Sequence, residues 1–149
     1  MNNEWSKTYC KVRYATYAIL VILLAINLRV GWVLFYPYKP LEVKCIKILD
    51  EDQIVHPGEK VTYQLEYMKY MDIPATVNRS LVNNIVLNMP SFMSSVPLGH
   101  GVVKNNIDIP SFADPGIYKL VFVFDYEVSS FPKRIVRYRA ESNTFEVRK

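Results

Sequence analysis

The 149-residue sequence predicts a mainly β chain in which one apolar helix near the N-terminus precedes an antiparallel sandwich of about seven strands. Three observations lead there. A continuous apolar run lies near the start. After Pro40 apolar and polar residues alternate with period two, and turn signals interrupt that alternation roughly every 8 to 15 residues. Half of the residues are hydrophobic and the mean hydropathy is +0.03, an average of an apolar segment and an ordinary soluble composition. The length suits one core of about 100 to 150 residues, without a second independent domain.

Residues 1–13 make a short basic tail with Lys7, Lys11 and Arg13. Residues 14–36, YATYAILVILLAINLRVGWVLFY, are expected to form a helix of roughly 35 Å, enough to cross a hydrocarbon core of about 30 Å with some tilt. Tyr14 and Tyr17 at one end and Trp32, Tyr36 and Tyr38 at the other fit interfacial aromatic belts, and Pro37 and Pro40 stop the helix. The tail and residues 15–26 also have the layout of a secretory signal. Asn27, Leu28, Arg29 and Val30 stand where a small-residue cleavage site would be needed, so an uncleaved signal anchor is expected. Lys39, Lys44 and Lys47 match the positive charges of the tail in number; the short basic tail favours the N-terminus inside.

Arg29 costs several kcal/mol or more within an apolar span. It is read in two ways. Its long stem can snorkel toward headgroups, or Arg29 can pair with a polar side chain on another membrane helix, with Asn27 adding an interhelical hydrogen bond.

Residues 37–149 form the β domain. Leu41, Val43 and Cys45 alternate with Glu42 and Lys44, and the adjacent Cys45 and Ile46 suggest a bulge before Ile48. DEDQIVHPGEK is turn-like and leads into Val61, Tyr63, Leu65 and Tyr67, alternating with polar residues. Further strands are expected at 75–81, 85–89 and 102–109, separated by Asn83-Asn84 and by PSFMSSVP. The strongest alternation covers 118–128, with Tyr118, Leu120, Phe122, Phe124, Tyr126 and Val128 on one face; strands at 135–140 and 144–147 follow.

Asp114, Gly116 and Tyr118 in DPGIY resemble the D-x-G-x-Y corner of immunoglobulin-like domains, where the Tyr hydroxyl bonds back to upstream backbone. Leu120 replaces the usual second Cys, as in a fibronectin-like sandwich held by apolar packing. The chain as a whole, with its basic tail, single helix and the stretches YPYKPLEVKCIKIL, PGEKVTYQLEYMKYMDIPATVNRSLV and IDIPSFADPGIYKLVF, resembles small uncharacterised single-pass membrane proteins encoded by tailed bacteriophages. That resemblance implies insertion in a bacterial inner membrane, with the N-terminus cytoplasmic and the C-terminal domain periplasmic. It implies no catalytic residues.

The net charge of +4 is scattered rather than gathered on one face, which argues against nucleic acid. The two cysteines, Cys10 and Cys45, flank the apolar run, so a disulfide between them would cross the bilayer; Cys45 is expected to act as a small buried hydrophobe. His56 and His100 have no ligand partners at metal spacing, no nucleophile elbow or phosphate loop occurs, and Asp50, Glu51 and Asp52 lack the spacing of a calcium loop. No enzyme, metal or cofactor is expected. Met68, Tyr70 and Met71 are a candidate surface patch, whereas Tyr63 and Tyr67 share the core face. Lys133, Arg134, Arg137 and Arg139 form a basic hairpin suited to a solvated edge, lipid headgroups or an acidic partner. The expected role is a non-enzymatic interaction module. Besides the lipid bilayer, its partner would be a membrane or envelope protein or a second copy; the alternative is a glycan-binding or peptidoglycan-binding sandwich.

Overall fold

The structure, a computed structural model, describes residues 3–49 and 54–149, with side chains from Val12 onward. Helix α1 (Asn3–Phe35) is followed, among the described residues, by nine strands: β1 (Leu41–Ile48), β2 (Ile54–Val55), β3 (Lys60–Lys69), β4 (Ala75–Val82), β5 (Val86–Asn88), β6 (Phe92–Ser94), β7 (Gly99–Asp108), β8 (Gly116–Ser130) and β9 (Lys133–Val147). The chain is therefore mainly β with one N-terminal apolar helix. It separates into two compact units, Met1–Pro37 with Ser129–Arg134, and Tyr38–Val128 with Ile135–Lys149.

In the first unit, Val12–Phe35 is long and apolar enough to cross a membrane. Ile19, Leu20, Val21, Ile22, Leu23 and Leu24 are all exposed, so the apolar surface runs around the helix rather than along one stripe. The helix begins at Asn3 rather than Tyr14, since the tail contains neither Gly nor Pro to stop it. It ends before Pro37, whose ring cannot continue it. Arg134 donates through Nη1 to the carbonyls of Val33 and Tyr36, supplying a cation and donors to a helix C-terminus that would otherwise leave them unsatisfied.

The second unit contains two sheets, ordered β1-β3-β7 and β2-β9-β8-β4-β5, with β6 also pairing β4. They share one apolar core. Val61, Tyr63, Leu65 and Tyr67 alternate inward along β3, as do Tyr118, Leu120, Phe122, Phe124 and Tyr126 along β8. The rings of Tyr63 and Phe122 meet with centroids 5.1 Å apart. Nine strands replace the expected seven or so. Strands β2 and β6, read as turn and spacer, span only two and three residues, too few for a period to register. The stretches 135–140 and 144–147 are one continuous strand, because the polar residues between them are used by neighbouring backbone: Ser142 Oγ accepts from Leu120 N at 3.0 Å and Asn143 Oδ1 accepts from Ile48 N at 2.7 Å. Strand β2 runs parallel to β9, so that sheet is mixed rather than purely antiparallel.

One turn and one bulge shape the strands locally. At Pro57-Gly58 the N–H of Glu59 donates to the carbonyl of His56 at 3.0 Å and Gly58 has φ of 89°, the left-handed second position that a type II turn reserves for Gly. In β1 the register shifts between Val43 and Cys45. The bulge thus centres on Lys44, before Cys45 rather than after it, and Cys45 turns out of the core. Half-buried, it has its Sγ 3.8 Å from Glu66 Oε2. Lys69 is buried to 3% exposure at the end of β3, donating to Val96 O at 2.7 Å with Asp72 Oδ1 at 3.7 Å. A cation this deep is tolerated because it donates a hydrogen bond and has a carboxylate beside it.

Tyr118 is fully buried and its hydroxyl donates to the Asp114 carbonyl at 2.9 Å. This bond ties the start of β8 to the loop before it, and Gly116 between them lets the chain turn with φ of 156°. Tyr118→Phe keeps the ring and removes the donor; the expected loss is about 1 to 2 kcal/mol, read as a lowered urea midpoint at unchanged slope.

Candidate functional site

Side chains alternate across β1, β3 and β7, so their outward residues form one face of the three-stranded sheet. Glu66 stands at its middle. Its Oε1 lies 3.3 Å from Lys44 Nζ on β1 and 3.0 Å from His100 Nε2 on β7, linking all three strands. Nearer the strand ends, Glu42 Oε2 accepts from Lys39 Nζ at 2.7 Å and from the Tyr70 hydroxyl at 2.8 Å, and the Lys39 ammonium sits 5.5 Å from the centre of the Tyr70 ring. Met68 pairs in register with Glu42 on one side and His100 on the other, between the two charge clusters. The patch expected from Met68, Tyr70 and Met71 is thus wider and more charged than its apolar residues suggest. Tyr70 is 51% exposed; Met68 and Met71 are half-buried.

These contacts set the electrostatics. Hydrogen bonds from His100 and then Lys44 hold the Glu66 carboxyl below the usual carboxylate range, and Lys39 followed by Tyr70 does the same to Glu42. The Tyr70 phenol is pushed up, first by donating to Glu42. A depressed carboxylate pKa contributes stability above the unfolded value of about 4.3, which is lost as pH falls through the lower folded value. Urea midpoints measured from about pH 7 down to about pH 3 should therefore decline in acid, and Glu66→Gln should flatten part of that decline. Equal slopes for both proteins would show that Glu66 contributes nothing to the acid response.

The other residues singled out from sequence lie apart from this face. In α1, Arg29 is exposed and makes no ion pair among the described residues. Asn27 Nδ2 donates to Leu23 O of its own helix at 2.8 Å. The basic hairpin is largely neutralised: Arg137 grips Asp125 at 2.7 and 3.1 Å, and Arg139 meets Glu141 at 2.8 Å. His56 Nδ1 sits 2.7 Å from Arg148 O. Among the described residues no three His, Cys, Asp or Glu side chains converge on a metal position. Asp50, Glu51 and Asp52, and the side chains of Lys7, Cys10 and Lys11, lie outside the described residues. Sequence reasoning missed His100 and Glu66 as partners. Only the register of β3 on β7 brings residues so far apart in sequence together.

These observations define a class: a chain with a membrane-length apolar helix and a mainly β unit of two sheets. No family model and no curated protein matches the sequence. Among solved structures, the Pseudomonas fluorescens alkylpurine DNA glycosylase AlkC is similar at 12% identity and a TM-score of 0.41, covering 74% of this chain and 31% of that one. A Listeria innocua beta-glucosidase is similar at 11% identity and a TM-score of 0.35, over 73% of this chain and 16% of that one. A Niemann-Pick type C2 protein from the Japanese carpenter ant is similar at 8% identity and a TM-score of 0.39, over 76% of this chain and its whole length. The chain thus spans less than a third of the glycosylase and less than a fifth of the glucosidase. At these scores none of the three carries a functional argument.

Proposed function

We propose that this chain is a non-enzymatic, membrane-anchored interaction module in which α1 is both anchor and assembly element, its N-terminus inside and the β unit outside. The observation that carries it is Arg29: a cation exposed in the apolar span, with no ion pair among the described residues. An unpaired guanidinium in lipid is costly, and a polar group on another membrane helix relieves that cost. The partner is then a membrane or envelope protein or a second copy, in line with the resemblance to phage-encoded membrane proteins and a bacterial inner membrane.

The β unit is, in the same proposal, an immunoglobulin-like sandwich. Two observations support it. The order β1-β3-β7 parallels strands A, B and E of such domains, and β4-β8-β9 parallels C, F and G. The Tyr118 bond to Asp114 falls at the entry to the strand equivalent to F.

The test is a mild-detergent pull-down of the full chain from membranes, comparing wild type with Arg29→Leu. A specific companion present with wild type and lost with Arg29→Leu, while membrane insertion is unchanged, is the expected result. A companion retained by the variant moves recognition to the β unit. No companion at all removes the proposal and turns attention to glycan or lipid.

A further inference from the structure

The core between the two sheets is not filled. A cavity of about 190 Å³ lies between them, walled by Tyr63, Tyr67, Phe122, Phe124 and Tyr126, all buried. It is larger than the roughly 150 Å³ engineered cavity that admits benzene and smaller than the roughly 300 Å³ of a drug-sized pocket. Its remaining walls include Phe92, Ser94 and Val96 on one side and Val103 and Asn105 on the other, each half-buried or exposed. The mouth is therefore between β6, which pairs only with β4, and β7, the last strand of its sheet.

An arginine stands beside this cavity, on the wrong face for a solvated cation. Ala75, Val77 and Leu81 point inward from β4 and are buried, and strand alternation puts Arg79 in the same phase. Its register partner is the cavity wall Phe122. The guanidinium lies 4.7 Å from the centre of the Phe92 ring at the mouth, and Nη2 donates to Pro90 O at a long 3.4 Å. Burial pushes the Tyr63 phenol up, opposed by the Arg79 charge and by side-chain hydrogen bonding to Arg79. Arg79 Nε is closed off from solvent and has no hydrogen-bond partner, alone in this among the side chains of the described residues. A buried charged donor left unmade is costly, and such a group calls for a partner, whether a water, an ion or a ligand.

We propose that the cavity and Arg79 together bind a small anionic amphiphile, its apolar end between the sheets and its carboxylate or phosphate on the Arg79 guanidinium. The volume limits the inserted part to a single ring or a short stretch of acyl chain. A planar guanidinium beside an aromatic ring is suited to hold either anion through paired donors. The ligand comes from a free fatty acid or from the acyl chain and headgroup of an anionic membrane lipid. The proposal stands on the β unit alone and does not depend on a protein partner for α1.

The test uses the full chain in phosphatidylcholine nanodiscs, with empty nanodiscs as reference, titrated calorimetrically with octanoate, with octanol and with dioctanoyl phosphatidylglycerol. Octanoate or the phosphatidylglycerol is expected to bind saturably, and the tighter of the two names the source. Octanol, which has the same chain without the charge, should bind at least roughly tenfold more weakly than octanoate, the worth of a charged hydrogen bond. Arg79→Gln should reduce octanoate to the level of octanol, and Val103→Phe, which fills the mouth from a half-exposed position, should weaken both. Wild type alone decides the matter should a variant fail to fold. Absence of saturable binding, equal affinity for octanoate and octanol, or undiminished binding to folded Val103→Phe would overturn the proposal.

Discussion

Gly101→Ala is expected to destabilise the β unit by about 3 kcal/mol, although it adds one methyl group to a half-buried strand. Gly101 on β7 is the register partner of Tyr67 on β3, and a Cβ at position 101 would clash with the hydroxyl oxygen and the adjoining ring carbons of Tyr67. The ring lies across the glycine, covering backbone that no side chain shields. Tyr67 is 2% exposed, so relief comes only by tilting the ring out of its packed position into the cavity that it walls. A double-mutant cycle checks the cause. Tyr67→Ala should cost several kcal/mol in wild type but much less in the Gly101→Ala background, because the same ring is lost only once. Additive costs would show that the ring and the glycine act independently.

Phe122→Ala should cost about 3 to 5 kcal/mol, a large part of the 5 to 15 kcal/mol by which such domains are usually stable. Phe122 is 2% exposed, with its ring centroid 5.1 Å from Tyr63 and 6.0 Å from Phe124. Removing it joins a new void to a cavity that is already present, so the surroundings have little left with which to collapse. The measurement is the urea midpoint together with the near-ultraviolet circular dichroism of the full chain. A loss below about 1 kcal/mol would mean that the two sheets close over the gap.

Much of the fold was legible because its signals are local. The apolar run of α1 needs no tertiary context, since its length and apolarity, enough to cross a membrane, are read from consecutive residues. The alternations in β3 and β8 were clear because one face of each strand is buried along most of its length. What escaped was short or depended on pairing. Strands β2 and β6 hold too few residues for a period, and the bulge at Lys44, one residue from where the sequence suggested it, turned Cys45 outward. Arg79 was in plain view as the odd member of the series Ala75, Val77, Arg79, Leu81, a cation in the apolar phase of a strand.

By itself, then, the sequence determined the apolar helix and the longer strands, because hydrophobic period and turn residues act over a few neighbours. It also determined the position of a corner at Asp114, Gly116 and Tyr118, whose bond spans only four residues. Tertiary structure alone decided which strands are neighbours. With that came the Lys44, Glu66 and His100 cluster, the glycine beneath Tyr67, and the cavity beside Arg79. Each depends on register between strands distant in the chain, and that register is chosen by the packing of two whole sheets, which no local pattern encodes.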